Sequence, residues 1–136
     1  SALTIEAVKP GVIVLWDTFG ELNAAYARAT AVFVGGSLAP LGGQNFLEPL
    51  IHGVTPVIGP SWENFAWIGE NIFAKGFVQK TQDWETAAEA LTRLLKYPPP
   101  KEQIRAMAAD YVKNRQGGSE QAGRLIAQIL NGVTEK

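Results

Sequence analysis

The chain has 136 residues, 46% of them hydrophobic, enough for one buried core, so a single domain over residues 1–136 is expected. Twelve basic residues balance thirteen acidic ones for a formal net charge of −1, and no basic stripe of the kind a duplex-binding surface needs is present, which argues against a nucleic-acid partner. With no cysteine and one histidine, His52, disulfides, thiolate metal sites and a His-rich zinc site are excluded.

No signal peptide is legible, and no apolar run approaches the roughly 20 residues of a membrane helix. A soluble, cytoplasmic domain is the expectation. The chain begins at Ser1 without a methionine, which fits a piece of a longer protein.

Ser1 to Pro10 carries no clear pattern, and Pro10-Gly11 reads as a turn. Val12-Ile13-Val14-Leu15-Trp16 is a continuous apolar run, the pattern of a strand buried on both faces of a parallel sheet. Asp17 or Thr18 then caps a helix with Glu21 in its first turn and Leu22, Ala25, Tyr26 and Ala29 on its apolar face. Ala31 to Val34 reads as a second strand, ending at Gly35-Gly36-Ser37. After a glycine-rich loop, Asn45 caps a short helix from Phe46 to His52 that carries Glu48, tolerates Pro49 near its first turn and stops at Gly53. His52 is expected at its end, as a cation or as the partner of a carbonyl. Thr55 to Ile58 is a third strand; Asn64 caps a helix over Phe65 to Ala74; Phe77 to Gln79 is a short fourth strand. Thr81 or Asp83 opens an amphipathic helix with Ala87, Leu91, Leu94 and Leu95 facing inward, broken by Pro98-Pro99-Pro100. Helices over Glu102 to Asn114 and, capped by Ser119, over Glu120 to Leu130 complete the pattern. This βαβαβαβ alternation followed by helices predicts an α/β fold: a Rossmann-like parallel sheet with helices on both faces.

Chemistry concentrates where strands give way to glycine loops. Asp17-Thr18-Phe19-Gly20-Glu21 directly follows the first strand and opens a helix; its residues read either as a capped helix start or as one wall of a small anionic ligand's site. In Gly42-Gly43-Gln44-Asn45-Phe46-Leu47-Glu48, Asn45 and Glu48 lie one turn apart. They read either as a capping box or as a phosphate contact and a carboxylate for ribose hydroxyls. The four glycines nearby favour the ligand, because such a loop costs folding entropy that a cap does not require. Gly59-Pro60-Ser61-Trp62-Glu63-Asn64-Phe65 ends the third strand and stands as a further wall or as a turn with aromatic packing; Trp62 and Trp67 read as packing. No Ser/His/Asp set, no Gly-x-x-x-x-Gly-Lys-Ser/Thr and no Gly-x-Gly-x-x-Gly occurs.

These blocks, with Phe33-Val34-Gly35-Gly36-Ser37-Leu38, Glu48-Pro49, Gly59-Pro60 and Asn64-Phe65, closely resemble the C-terminal domain of the 3-deoxy-D-manno-octulosonic acid (Kdo) transferases. The resemblance covers essentially the whole chain and is strongest from Val12 to Phe65. It implies the donor-binding half of a GT-B glycosyltransferase, two Rossmann-like domains with the active site between them. Such an enzyme moves Kdo from CMP-Kdo to a lipid A precursor in lipopolysaccharide biosynthesis, without a metal ion or cofactor, at the cytoplasmic face of the bacterial inner membrane. Phe19, Gly20, Glu21, Gly35, Gly36, Ser37, Gly43, Asn45, Phe46, Leu47 and Glu48 would then contact CMP or the donor, Glu48 at the ribose and Asn45 near the phosphate. The catalytic base belongs to a separate N-terminal acceptor domain, so no catalytic residue is expected in this chain, which alone should not turn over. Phe19 stands where the family usually has Met, and Gln44 where it commonly has His, so a role needing a charged imidazole has no carrier here. The glycine loops alone leave two other readings: a GT-B donor domain for a UDP-sugar, and a non-catalytic Rossmann-like binding domain.

Overall fold

In the computed structural model the described residues are 11–17 and 20–114. The sequence-based expectations for Ser1 to Pro10, Thr18, Phe19, Ser119 and the helix Glu120 to Leu130 lie outside them. In chain order come α1 (Leu22–Arg28), β1 (Val32–Phe33), α2 (Leu47–Ile51), β2 (Pro56–Ile58), a 3-10 helix (Glu63–Ile68), α3 (Asn71–Ala74), β3 (Gln79–Lys80) and α4 (Trp84–Lys96). A further helix, α5, covers residues 101–114.

The three strands form one parallel sheet in the order β1-β2-β3, with Val32 opposite Pro56, Phe33 opposite Val57, Val57 opposite Gln79 and Ile58 opposite Lys80. Every residue of the central strand is buried, as a strand covered on both faces must be. Alternation along β2 sends neighbouring side chains to opposite faces. Val57 packs with Ala87, Ala90 and Leu94 of α4. Ile58 belongs to a larger cluster with Phe46, Leu50, Ile68, Ile72, Phe77 and, from α5, Ile104, Ala108 and Tyr111. The expected two-faced α/β layering is thus present, with α4 on one side and α2, α3 and α5 on the other.

The cap of α4 is the expected Asp83: its carboxylate accepts from the Thr86 N–H at 2.8 Å, while the Thr86 hydroxyl accepts from the Asp83 N–H at 3.2 Å. Ala87 and Leu94 face inward as expected and Leu91 packs against them, but Leu95 is 61% exposed and its inward place is taken by Ala90. The helix stops at Lys96, just before the three prolines, which cannot donate to a continuing ladder.

Four expectations need correcting. Val12–Trp16 is not a buried strand: it pairs with no strand among the described residues, and Ile13 is 96% and Leu15 87% exposed. An apolar run records a tendency to be buried, but a ladder needs neighbouring backbone, and no described strand lies beside this one. Asp17 does not cap α1; Glu21 occupies the cap position, and its side chain makes no capping bond to the helix end. Phe65 to Ala74 is not one helix but a 3-10 segment and a short α-helix, separated at Gly69, whose φ of 84° no helix accommodates. Asn64 lies inside the first of these rather than capping it, and the Trp67 side chain there is 70% exposed.

Phe46 is 1% exposed and touches the rings of Phe65 and Phe73. Phe46→Ala is expected to lower the unfolding free energy by about 3–5 kcal/mol, measured by urea denaturation. At the α4 cap, the Thr86 hydroxyl and then its N–H hold the Asp83 carboxyl below the usual carboxylate range. A carboxyl with a depressed folded pKa stabilises above its unfolded value, and that contribution disappears as pH falls through the folded one. Asp83→Ala should therefore lower the thermal midpoint at neutral pH, and the gap to wild type should narrow as the pH drops below about 4.

Candidate functional site

Parallel strands all point one way, so β1 and β2 open onto the same carboxyl edge of the sheet. Gly35, Gly36 and Ser37 follow β1 there, and Gly59, Pro60 and Ser61 follow β2. Ser37 joins them. Its hydroxyl donates to the Val34 carbonyl at 2.6 Å and accepts from the Gly59 N–H at 2.9 Å, and its own carbonyl accepts from the Ser61 N–H at 2.9 Å. A side chain on Gly59 would collide with the Ser37 carbonyl.

The Gly42-Gly43 loop is sewn onto this junction. The Gly43 N–H donates to the Gly36 carbonyl at 3.0 Å, and the Gly42 N–H donates to the Ser61 hydroxyl at 2.8 Å. The Ser61 hydroxyl in turn donates to a Glu63 carboxylate oxygen at 2.7 Å. This bond and those from the backbone N–H groups of Glu63 and Trp62 hold the Glu63 carboxyl below its ordinary range. Gly43 has φ of 75°, and a Cβ there would stand 3.0 Å from the Ser61 carbonyl, so both conformation and space require glycine. Asn64 closes the loop from outside: its N–H donates to the Gly42 carbonyl at 3.1 Å, and its amide makes longer contacts to the Leu41 and Gly43 carbonyls.

Asn45 and Glu48 come together, but not as a capping box. Phe46, drawn into the core, occupies the cap position of α2 without a side-chain bond to the helix. The Asn45 amide oxygen accepts from the Leu47 N–H at 3.1 Å, and its amide nitrogen donates to Glu48 Oε1 at 2.9 Å. One carboxylate oxygen of Glu48 is thereby fixed, and the other takes no hydrogen bond among the described residues. α1 packs against α2. Tyr26 is within electrostatic reach of Glu48, and burial together with the Glu48 charge pushes the Tyr26 phenol up. His52 Nε2 lies 3.2 Å from the Asn23 amide oxygen, so its partner is α1 rather than a helix-end carbonyl.

The structure thus gathers Gly35, Gly36, Ser37, Gly43, Asn45, Phe46, Leu47 and Glu48 at one edge, with Gly20 and Glu21 at the start of the helix that packs beside Glu48. Phe19 lies outside the described residues. The side chains of Ser37 and Phe46 are buried, the first spent on the strand junction and the second on the core, so neither is an available contact group. Ser61 and Glu63, read from the sequence only as part of a wall or turn after β2, are bonded into the glycine junction. Tyr26 was read only as a residue of the apolar face of α1, and no local signal ties it to Glu48. No group of three or more His, Asp and Glu side chains is placed to hold a metal ion among the described residues. An apolar cleft of about 580 Å³ between α2, α3 and α5 includes none of the loop glycines in its lining.

Ser37→Ala would leave the buried Gly59 N–H without its acceptor. Urea denaturation should show a loss of about 1–3 kcal/mol, and hydrogen exchange at the Gly59 amide should accelerate.

No protein-family model matches the chain. It is 32% identical over 107 residues to a 3-deoxy-D-manno-octulosonic acid transferase of Bordetella pertussis, covering 79% of this chain and 25% of that protein. It is 36% identical over 81 residues to the transferase of the same name from Haemophilus influenzae, covering 60% of this chain and 18% of that one. The chain therefore spans about a quarter or less of these two relatives. Among solved structures it is similar to the C-terminal CMP-Kdo binding domain of WaaA from Acinetobacter baumannii, with a TM-score of 0.62 and 36% identity over 71% of this chain and 51% of that one. Motifs, fold and these likenesses agree, and they identify the chain as a C-terminal domain of the 3-deoxy-D-manno-octulosonic acid transferase family.

Proposed function

We propose that residues 1–136 form the donor-binding domain of a glycosyltransferase that moves Kdo from CMP-Kdo to a lipid A precursor. The observation that carries this reading is the likeness, in both sequence and fold, to a CMP-Kdo binding domain. The carboxyl-edge geometry supports it. The loops after β1 and β2 are locked to one another by buried hydrogen bonds, and a rigid backbone surface can hold a nucleotide without first being ordered.

In this reading the Glu48 carboxylate oxygen that takes no hydrogen bond among the described residues accepts from the ribose hydroxyls, while Asn45 holds the other oxygen and with it the rotamer. Phe19, Gly20, Glu21, Gly35, Gly36, Gly43 and Leu47 contribute donor contacts. Ser37 and Phe46 contribute through their backbone only. The general base and the acceptor site belong to an N-terminal domain of the parent protein, at the inner membrane's cytoplasmic face. Within the described residues no helix is long and apolar enough to cross a membrane. The chain's own part in catalysis is positioning: it holds CMP as the leaving group while the base removes the acceptor's proton. The isolated chain is accordingly expected to bind without turnover.

Titration of the chain with CMP and with UMP tests the assignment. CMP should bind more tightly. Glu48→Gln should weaken CMP on the order of tenfold, the worth of a charge-assisted hydrogen bond. Equal binding of UMP would favour a UDP-sugar enzyme, and binding of neither nucleotide would favour a non-catalytic domain. In the full-length protein, Kdo transfer unaffected by Glu48→Ala would remove Glu48 from the donor site.

A further inference from the structure

The opposite edge of the sheet carries a second polar cleft. Thr55 immediately precedes β2 and Gln79 opens β3, so both stand at the amino ends of the parallel strands, away from the glycine loops. They line a cleft of about 420 Å³ together with Lys75, Arg93, Tyr97 and Gln103. Thr55 is 3% exposed, and its hydroxyl is the buried side-chain atom that finds no hydrogen-bond partner among the described residues. A buried hydroxyl without a partner is costly, and native folds rarely keep one unless something completes it.

The charge of the cleft indicates what that is. Its lining holds two cations, Lys75 and Arg93, and no carboxylate. The Arg93 guanidinium gives one N–H to the Gln79 amide oxygen at 2.6 Å, which anchors the side chain and turns the Gln79 amide nitrogen outward as a donor. Glu89 precedes Arg93 by one turn of α4 but forms no ion pair with it; the ion pair among the described residues is Arg105–Glu102. The remaining guanidinium donors take no acceptor among the described residues. Lys75 Nζ lies 5.8 Å from the Tyr111 ring centroid and 6.0 Å from that of Phe77, and it forms no ion pair among the described residues. Thr55, Gln79, Arg93 and Lys75 line one cleft whose lining holds no carboxylate, and a guanidinium matches the planar oxygen pairs of phosphate or carboxylate.

We propose that this cleft is an oxyanion site, taking a phosphoryl or carboxylate group between the Thr55 hydroxyl and the side chains of Arg93, Gln79 and Lys75. It is independent of the donor reading, because it lies at the other end of the strands and shares no residue with that edge.

The test is an NMR titration of the ¹⁵N-labelled chain with inorganic phosphate and with acetate, against chloride at matched ionic strength. Saturable shifts at Thr55, Gly76 and Gln79 are expected with phosphate or acetate and not with chloride. Signals from Gly43 and Asn45 report separately on the donor edge, so failure of one site is not mistaken for failure of the other. Arg93→Gln should weaken binding roughly tenfold, and Lys75→Gln by several-fold. Thr55→Val should weaken it while leaving the thermal midpoint unchanged or higher, since the variant removes an unpartnered group. Vesicles carrying phosphatidic acid, compared with phosphatidylcholine vesicles, separate a lipid-borne phosphate from a free one; shifts at the same three residues with those vesicles alone would assign the oxyanion to a lipid. Absence of saturable shifts with every probe would overturn the proposal. So would binding that all three variants leave intact, or a Thr55→Val variant that loses stability but no affinity, which would give the hydroxyl to the fold.

Discussion

The hydroxyl of Ser37 is the point on which the carboxyl edge depends. It satisfies the first carbonyl beyond β1 and the first N–H beyond β2 with one atom, while its own backbone carbonyl holds Ser61. These bonds set where each strand stops and how closely the two loops approach. They also explain why Gly59 tolerates no side chain and why the Gly42-Gly43 turn can lie flat against Ser61. Without that junction the loops after β1 and β2 would be two independent turns, each paying its own ordering entropy on binding a ligand. With it they form one surface, and Glu48 is presented from a helix that begins on that surface.

The layering was legible from the residues because burial and periodicity report the same thing. Thr55-Pro56-Val57-Ile58 reads as a strand apolar on both faces, and the structure covers both. Thr81 and Asp83 both read as caps for α4, and Asp83 is the one used. What could not be read was pairing. Val12-Ile13-Val14-Leu15-Trp16 has the strongest strand pattern in the chain, yet it stands exposed, because a strand is made by its neighbours and hydrophobicity does not supply them. Leu95 shows a smaller version of the same limit: a helical spacing defines a stripe, but the width of the facing sheet decides which edge of the stripe is covered.

At the candidate site, neighbours were more legible than the bonds between them. The glycine loops after β1 and β2 do meet at one sheet edge, and Asn45 and Glu48 lie in contact as their spacing implies. Their bond, however, runs side chain to side chain and leaves the helix end to Phe46, so the capping reading fails for a reason visible only in three dimensions. The resemblance implies Ser37 as a donor contact; its hydroxyl is spent on fastening the two loops, which leaves its backbone for that role. Tyr26 gave no local signal at all, since what brings it near Glu48 is the packing of α1 on α2. Two edges of one short sheet thus carry different chemistry: glycines and a carboxylate at one end, cations and an unpartnered hydroxyl at the other.

The central claim is that CMP rests on the carboxyl edge. The most direct measurement is the structure of the chain with CMP bound, by crystallography or intermolecular NMR contacts. The account predicts the ribose against Glu48 and the phosphate beside the Gly35–Gly36 and Gly43–Asn45 backbone, with the Ser37 hydroxyl still bonded to Gly59. CMP located away from these residues, or a ribose with no contact to Glu48, would contradict it.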